Sequence, residues 1–132
     1  METKFNFKSA ICTSREQSER LLALGLKKET ADMVHFFSQS LAQDWTIVPL
    51  ADGETARYIQ GLEIPAWSLH RLIEMIQEVC PQIVIIYHRI DIRSNVKRIA
   101  YSFDVCVNLY DNLIDCIEWL IKEGYFNKEY LV

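Results

Sequence analysis

The stretch Ile83-Val84-Ile85-Ile86-Tyr87-His88-Arg89-Ile90-Asp91-Ile92, with Lys97-Arg98-Ile99-Ala100-Tyr101-Ser102-Phe103-Asp104-Val105-Cys106-Val107 just after it, decides the fold of this chain. In the first run Val84, Ile86, Ile90 and Ile92 alternate with more polar positions, and in the second Ile99, Tyr101, Phe103, Val105 and Val107 do the same. A period of two marks a strand with one face buried. A hairpin turning at Ser94-Asn95 sets Ile90 opposite Ile99, Ile86 opposite Phe103 and Val84 opposite Val105, and pairs Asp91 with Arg98 on the other face. A slip of one residue would undo both agreements.

Working outward, Thr13-Ser14-Arg15-Glu16 reads as a capping box opening a helix that runs to about Leu24. Gly25 suits the left-handed position that ends it, with Leu26 folding back on Leu21. At Pro65-Ala66-Trp67-Ser68, Ser68 caps a second helix and Trp67 packs on Leu72 as a hydrophobic staple. Leu69, Leu72, Ile73, Ile76 and Val79 share one face of that helix, and Pro81 stops it. The last helix spans about Asp111 to Glu123, with Leu113, Cys116, Ile117, Leu120 and Ile121 inward and Asp111, Asp115, Glu118 and Lys122 outward, and Gly124 ends it.

Met33 to Ser40 fits a helix by the spacing of Val34, Phe37 and Leu41, and a strand by its β-branched and aromatic content. We read it as a strand whose partner is Trp45 to Pro49. Leu50 to Ile64 holds Gly53 and Gly61 without a clean period and reads as a long surface connection. The expectation is a single α+β domain over residues 1–132: an antiparallel sheet of two β-hairpins with three helices, in the order α-β-β-α-β-β-α, packed on one face. The helix-then-hairpin order repeats, but the letters of the two halves do not match.

The 132 residues are half apolar and 24% charged, which suits one hydrophobic core and does not suit disorder. A net charge of -4 argues against general nucleic-acid binding, which depends on cations displacing counterions from phosphates. The residues Met1 to Cys12 lack the apolar run of a signal peptide, and the densest apolar run, Ile83 to Tyr87, is strand-sized, so a cytoplasmic protein with no membrane span is expected. Cys12, Cys80, Cys106 and Cys116 form no CxxC pair and lie among apolar neighbours, as core thiols do.

Candidate chemistry is sparse. The chain contains no Gly-x-Ser-x-Gly, HExxH or glycine-rich phosphate loop, so no catalytic group, cofactor or metal is assigned. His88 falls on the apolar row of its strand, opposite Tyr101, where a hydrogen-bonded core histidine fits at least as well as a catalytic one. His70 and Glu74 sit four apart on one helix face, the spacing of a surface pair. The acidic row Asp111, Asp115, Glu118 is the solvated face of its helix, with Lys122 one turn beyond Glu118. His88, Arg89, Arg93, Lys97 and Arg98 gather positive charge at one hairpin tip, where it would grip an anion or an acidic partner or simply guard a sheet edge. Trp45, Tyr58 and Trp67, near Arg57, His70 and Arg71, are the candidate interface aromatics.

The blocks Cys12-Thr13-Ser14-Arg15-Glu16-Gln17-Ser18, Ile64-Pro65-Ala66-Trp67-Ser68-Leu69-His70-Arg71-Leu72 and Asp115-Cys116-Ile117-Glu118-Trp119-Leu120-Ile121-Lys122-Glu123-Gly124-Tyr125-Phe126 resemble a family of small proteins, of no assigned activity, from mobile-element and phage-related regions of gut anaerobes. Leu21-Leu22-Ala23-Leu24-Gly25-Leu26 and Thr30-Ala31-Asp32-Met33 share the likeness. The resemblance implies an accessory role and brings no catalytic residue. The expected function is therefore a non-catalytic module that binds a protein partner, with a homodimer compatible. The alternative is a nucleotide or anion sensor built on the basic tip.

Overall fold

Ser14, rather than Thr13, caps the first helix. In the computed structural model, which describes residues 10–38, 45–50 and 61–132 and the backbone alone at 38, 61 and 62, α1 spans Arg15–Ala23. Ser14 Oγ accepts from the Gln17 amide at 3.1 Å and Gln17 Oε1 accepts from the Ser14 amide at 2.9 Å, a complete capping box one residue later than Thr13 and Glu16 would make it. Thr13 is buried instead, with its hydroxyl 2.8 Å from Ser18 Oγ. The far end follows expectation: at φ +103° Gly25 takes the left-handed conformation, and the Leu26 and Gly25 amides donate to the carbonyls of Leu21 (3.3 Å) and Leu22 (3.0 Å), a Schellman ending.

A three-stranded antiparallel sheet follows, with β1 (Met33–Ser38) between β2 (Trp45–Pro49) and β3 (Gly61–Ala66). The strand reading of Met33 onward holds as far as Ser38, and its pairing with Trp45 to Pro49 as far as Phe37. Residues 39 and 40 and most of the 50–64 connection lie outside the described residues, but the end of that connection is strand β3, paired with β1. Pro65 lacks the N–H a central strand needs, and β3, at the sheet's edge, tolerates that.

α2 (Leu69–Gln77) starts where expected, with Ser68 Oγ accepting from the Arg71 amide at 3.1 Å. The second sheet then departs from the expected hairpin. Ile83 to Ile92 is not one strand: it folds back at Tyr87-His88 into β4 (Gln82–Ile86) and β5 (Arg89–Ser94), and β6 (Ile99–Phe103) completes the order β4-β5-β6. The loop 95–98 joins β5 to β6 in a register that places Ile90 opposite Phe103 and Asp91 opposite Ser102, not opposite Ile99 and Arg98. The shift is even, so β6 keeps its inward face. On β4 the faces exchange: Ile83 and Ile85 pair with Ile92 and Ile90, while Val84 and Ile86 are exposed. The fold class is α+β, with two three-stranded sheets among the described residues in place of one sheet of two hairpins.

α3 (Leu109–Lys122) packs across β5, β6, α1 and α2. Leu113, Ile114, Cys116, Ile117 and Leu120 are buried in one cluster with Leu21, Trp67, Leu72, Ile76, Ile90 and Ile92. Its outer face is clamped to α1 by Arg20, whose Nη2 lies 2.5 Å from Asp115 and 2.8 Å from Glu118, and Lys122 pairs with Glu118 at 3.0 Å. No helix among the described residues is long and apolar enough to cross a membrane.

Candidate functional site

Asn112 is a fully buried polar side chain on the otherwise apolar inner arc of α3. A buried amide must find partners. Its Nδ2 donates to the carbonyls of His88 (2.5 Å) and Cys106 (2.8 Å), and its Oδ1 accepts from the Cys106 amide at 3.0 Å. One side chain thus ties the β4–β5 turn to the segment between β6 and α3. Asn108 fixes the end of that segment by capping α3 through the Tyr110 and Asp111 amides.

These two tied loops carry three of the five large apolar side chains that are 90% or more exposed among the described residues; the other two are Val96, in the loop at the opposite end of the sheet, and Val132. Tyr87 is 91% exposed, and Val105 and Val107 are 90% each; Ile86 and Val84, on the adjoining outer face of β4, are each 53% exposed. Single exposed apolar residues are ordinary, but Tyr87, Val105 and Val107 stand on two loops fastened together at one end of the sheet, with Ile86 beside the turn, and so form a candidate contact surface. Tyr87 holds φ +55°, a conformation that costs a non-glycine residue energy and here turns the ring outward at the tip.

The structure divides the basic tip. His88 is not a strand residue facing Tyr101: it lies in the turn beside Tyr87, and its carbonyl is held by Asn112. Arg89 begins β5 at that same end, whereas Lys97 and Arg98 occupy the loop at the other end of the strand. Arg89 and Arg93 share the outer face of β5 with Asp91 between them, in an open depression of about 880 Å³ also lined by Val84, Ala100 and Ser102. Asp91 accepts from Ser102 at 2.6 Å and from Arg89 at 2.9 Å, and these two bonds hold its carboxyl below the ordinary range. Part of the positive charge is thus matched internally.

The aromatic trio separates as well. Trp67 is fully buried, with its amide and carbonyl exchanging hydrogen bonds with Thr13 and its indole N–H donating to Thr30 Oγ1 at 2.9 Å, so it is a core anchor and not an interface side chain. Trp45 is half-buried, tilted against Phe37 at 5.3 Å, with the Arg15 guanidinium 4.5 Å above its ring. Tyr58, with Arg57, lies outside the described residues. Arg71 is committed to the Thr30 carbonyl and to Glu74, while His70 and Glu74 form the spaced surface pair at 3.7 Å.

The Cys12 thiol lies 4.0 Å from Nε2 of His35, in the arrangement of a nucleophile and its base. That nitrogen is 2.7 Å from the Thr13 carbonyl, which only accepts, so Nε2 carries the proton and cannot take one from the thiol. Burial, and then Asp32, push the Cys12 thiol above its ordinary range. The pair is core architecture. Among the described residues no three His, Cys, Asp or Glu side chains converge as metal ligands would.

Sequence reasoning passed over Tyr87 and Asn112 and set Val105 and Val107 on the buried row of a strand, whereas β6 ends at Phe103 and both valines are exposed beyond it. The available signal was Asn112 itself, an amide four residues before Cys116 on the inward arc of an amphipathic helix, where a polar group implies something to bind. The chain matches no family model, no curated protein and no solved structure.

Proposed function

We propose that this chain is a non-catalytic protein-interaction module that docks its partner on the paired loops bearing Tyr87, Val105 and Val107. The observation that carries this reading is their near-complete exposure on a turn and a segment that the buried Asn112 fastens together. An apolar surface held rigid before binding loses little conformational freedom on docking, and a tyrosine and two valines offer area at low entropic cost. The resemblance to small proteins of mobile elements supports an accessory role there, and the absence of any membrane-length helix among the described residues agrees with work in the cytoplasm.

The test is affinity capture from native lysate with the wild-type chain and with Tyr87→Ser/Val105→Ser/Val107→Ser. A stoichiometric partner held by the first and lost by the second supports the reading. Turnover of a small substrate without any macromolecular partner refutes it.

A second reading, anion sensing, draws on Arg89 and Arg93 lining one depression. Ligand that binds only the folded state raises its melting temperature by mass action, so thermal shift against nucleotides and inorganic anions tests it directly. Shifts that survive Arg89→Glu/Arg93→Glu count against that face.

A further inference from the structure

The outer backbone edge of β4 has the form of a self-pairing strand, and we infer that two copies of this chain associate through it, antiparallel and centred on Val84. Among the described residues β4 pairs on one side only, with β5. Edge strands are ordinarily guarded by charges, internal proline or bulges. Gln82-Ile83-Val84-Ile85-Ile86 has none of these: it carries no charge, and its only proline neighbour, Pro81, precedes it. The other edge strand, β6, differs in that Tyr101 stacks on Trp119 of α3 at 4.9 Å.

The register follows from the hairpin. A two-residue turn at Tyr87-His88 makes Ile86 and Arg89 a hydrogen-bonded pair, and the alternation continues through Val84 with Asp91 and Gln82 with Arg93. The N–H and C=O groups of Ile83 and Ile85 therefore point away from β5, to the open edge. Centring a two-fold axis on Val84 sets Ile83 against Ile85 of the second copy and Ile85 against its Ile83, closing about four ladder bonds. Shifting the centre to Ile83 would oppose Ile85 to Pro81, which has no N–H to give. Shifting it to Ile85 would oppose Ile83 to Tyr87, which has left the strand conformation at φ +55°.

The side chains agree with that register. Val84 meets Val84 and Ile86 lies beside it on the outer face, covering two side chains that are 53% exposed in one copy. Ile83 and Ile85, each only partly buried, meet on the inner face, where α3 covers β5 and β6. No charge opposes a like charge across the new ladder. Arg89, Asp91 and Arg93 stand on β5, about three strand spacings or 14 Å from their counterparts, beyond the Debye length at physiological salt. The two Tyr87 turns fall at opposite ends of the combined sheet, so the association covers Val84 and Ile86 but leaves Tyr87, Val105 and Val107, on which the docking reading rests, open.

An interface of five residues per strand is at the small end of biological contacts, so the association is weak and concentration-dependent. Sedimentation equilibrium over a concentration series, joined to hydrogen exchange read at single amides, tests it. The expected result is a monomer–dimer equilibrium, protection of the Ile83 and Ile85 amides that grows with protein concentration, and self-association weakened about tenfold or more by Val84→Lys, which sets two ammonium groups face to face. Ile86→Lys, also on the outer face, serves if the first variant folds poorly. A wild-type chain monomeric up to about 1 mM overturns the inference. So does a dimer that both variants leave intact, or concentration-independent protection of those amides, which would mean that a segment of the same chain covers the edge.

Discussion

The Asn112 side-chain amide donates to the main-chain carbonyl of His88 at 2.5 Å, reaching from the core face of α3 to a turn 24 residues earlier in the chain. The same amide holds Cys106 through both its carbonyl and its N–H. The shape of the exposed end of the second sheet is therefore set by a helix side chain, and stability and surface are coupled at one residue.

Asn112→Ala leaves the Cys106 amide and two carbonyls short of partners in a site that water does not reach freely, and Asn112→Asp replaces a donor with an acceptor facing carbonyl oxygens. Each is expected to lower unfolding free energy by about 2–3 kcal/mol. Urea denaturation measures this, and hydrogen exchange at the Cys106 amide should accelerate ahead of the remainder of the fold. A loss below about 1 kcal/mol would show that the two loops hold their places unaided.

Trp67 belongs to the core, so its truncation should be read in stability. Trp67→Ala is expected to cost about 3–5 kcal/mol through the cavity it leaves. Trp67→Phe keeps most of the volume but strands Thr30 Oγ1 without the indole donor, at a cost of about 1–2 kcal/mol. Thermal denaturation of the two variants distinguishes this from a surface role, for which both changes would stay within about 0.5 kcal/mol.

The Glu118 carboxyl is held below its ordinary value of 4.5 by Lys122 first and Arg20 second. A carboxyl whose pKa is lower in the folded state gives stability that is complete above its unfolded value and is lost as pH falls through the folded one. Acidification from about pH 5 downward should therefore destabilise the wild type more than Lys122→Ala or Arg20→Ala. The groups are partly solvated, so the difference should not exceed about 1 kcal/mol, and added salt should shrink it. Parallel pH profiles for wild type and variants would contradict the assignment.

Thiol chemistry reports on the same packing. Cys12, Cys80 and Cys116 are buried, and burial raises each thiol above its ordinary range; Cys106 is partly exposed, donates to Asp115 at 3.5 Å, and is raised by desolvation and by that carboxylate. Native-state labelling with a maleimide, located by mass spectrometry, is expected to reach Cys106 first and slowly, and the other three only as the chain opens. Rapid labelling of Cys116 would contradict the packing of α3.

Much of this architecture was legible because local chemistry and global packing agree. Gly25 and Gly124 both take positive φ at helix ends, Ser68 caps α2, and of the expected inward row of α3 Leu113, Cys116, Ile117 and Leu120 are buried and Ile121 partly so. The second sheet was misread for an equally physical reason. Ile83-Val84-Ile85-Ile86 is β-branched throughout, so either alternation looks like a core face, and the turn at Tyr87-His88 has none of the glycine, asparagine or proline that usually signals one. β3 stayed hidden because Gly61 and Pro65, loop residues by habit, sit in an edge strand that tolerates them. The basic tip looked single because Arg89 to Arg98 is short in sequence, and the strand between its ends separates them in space.

Photo-cross-linking at chosen positions tests the docking surface most directly, with p-benzoylphenylalanine placed in turn at Tyr87, Val105, Glu29 and Gln77, all of them exposed. The expected outcome is one protein captured at both loop positions and at neither control, under conditions where each variant melts with the wild type. Capture of the same protein from Glu29 or Gln77 with none from Tyr87 and Val105 would contradict the account.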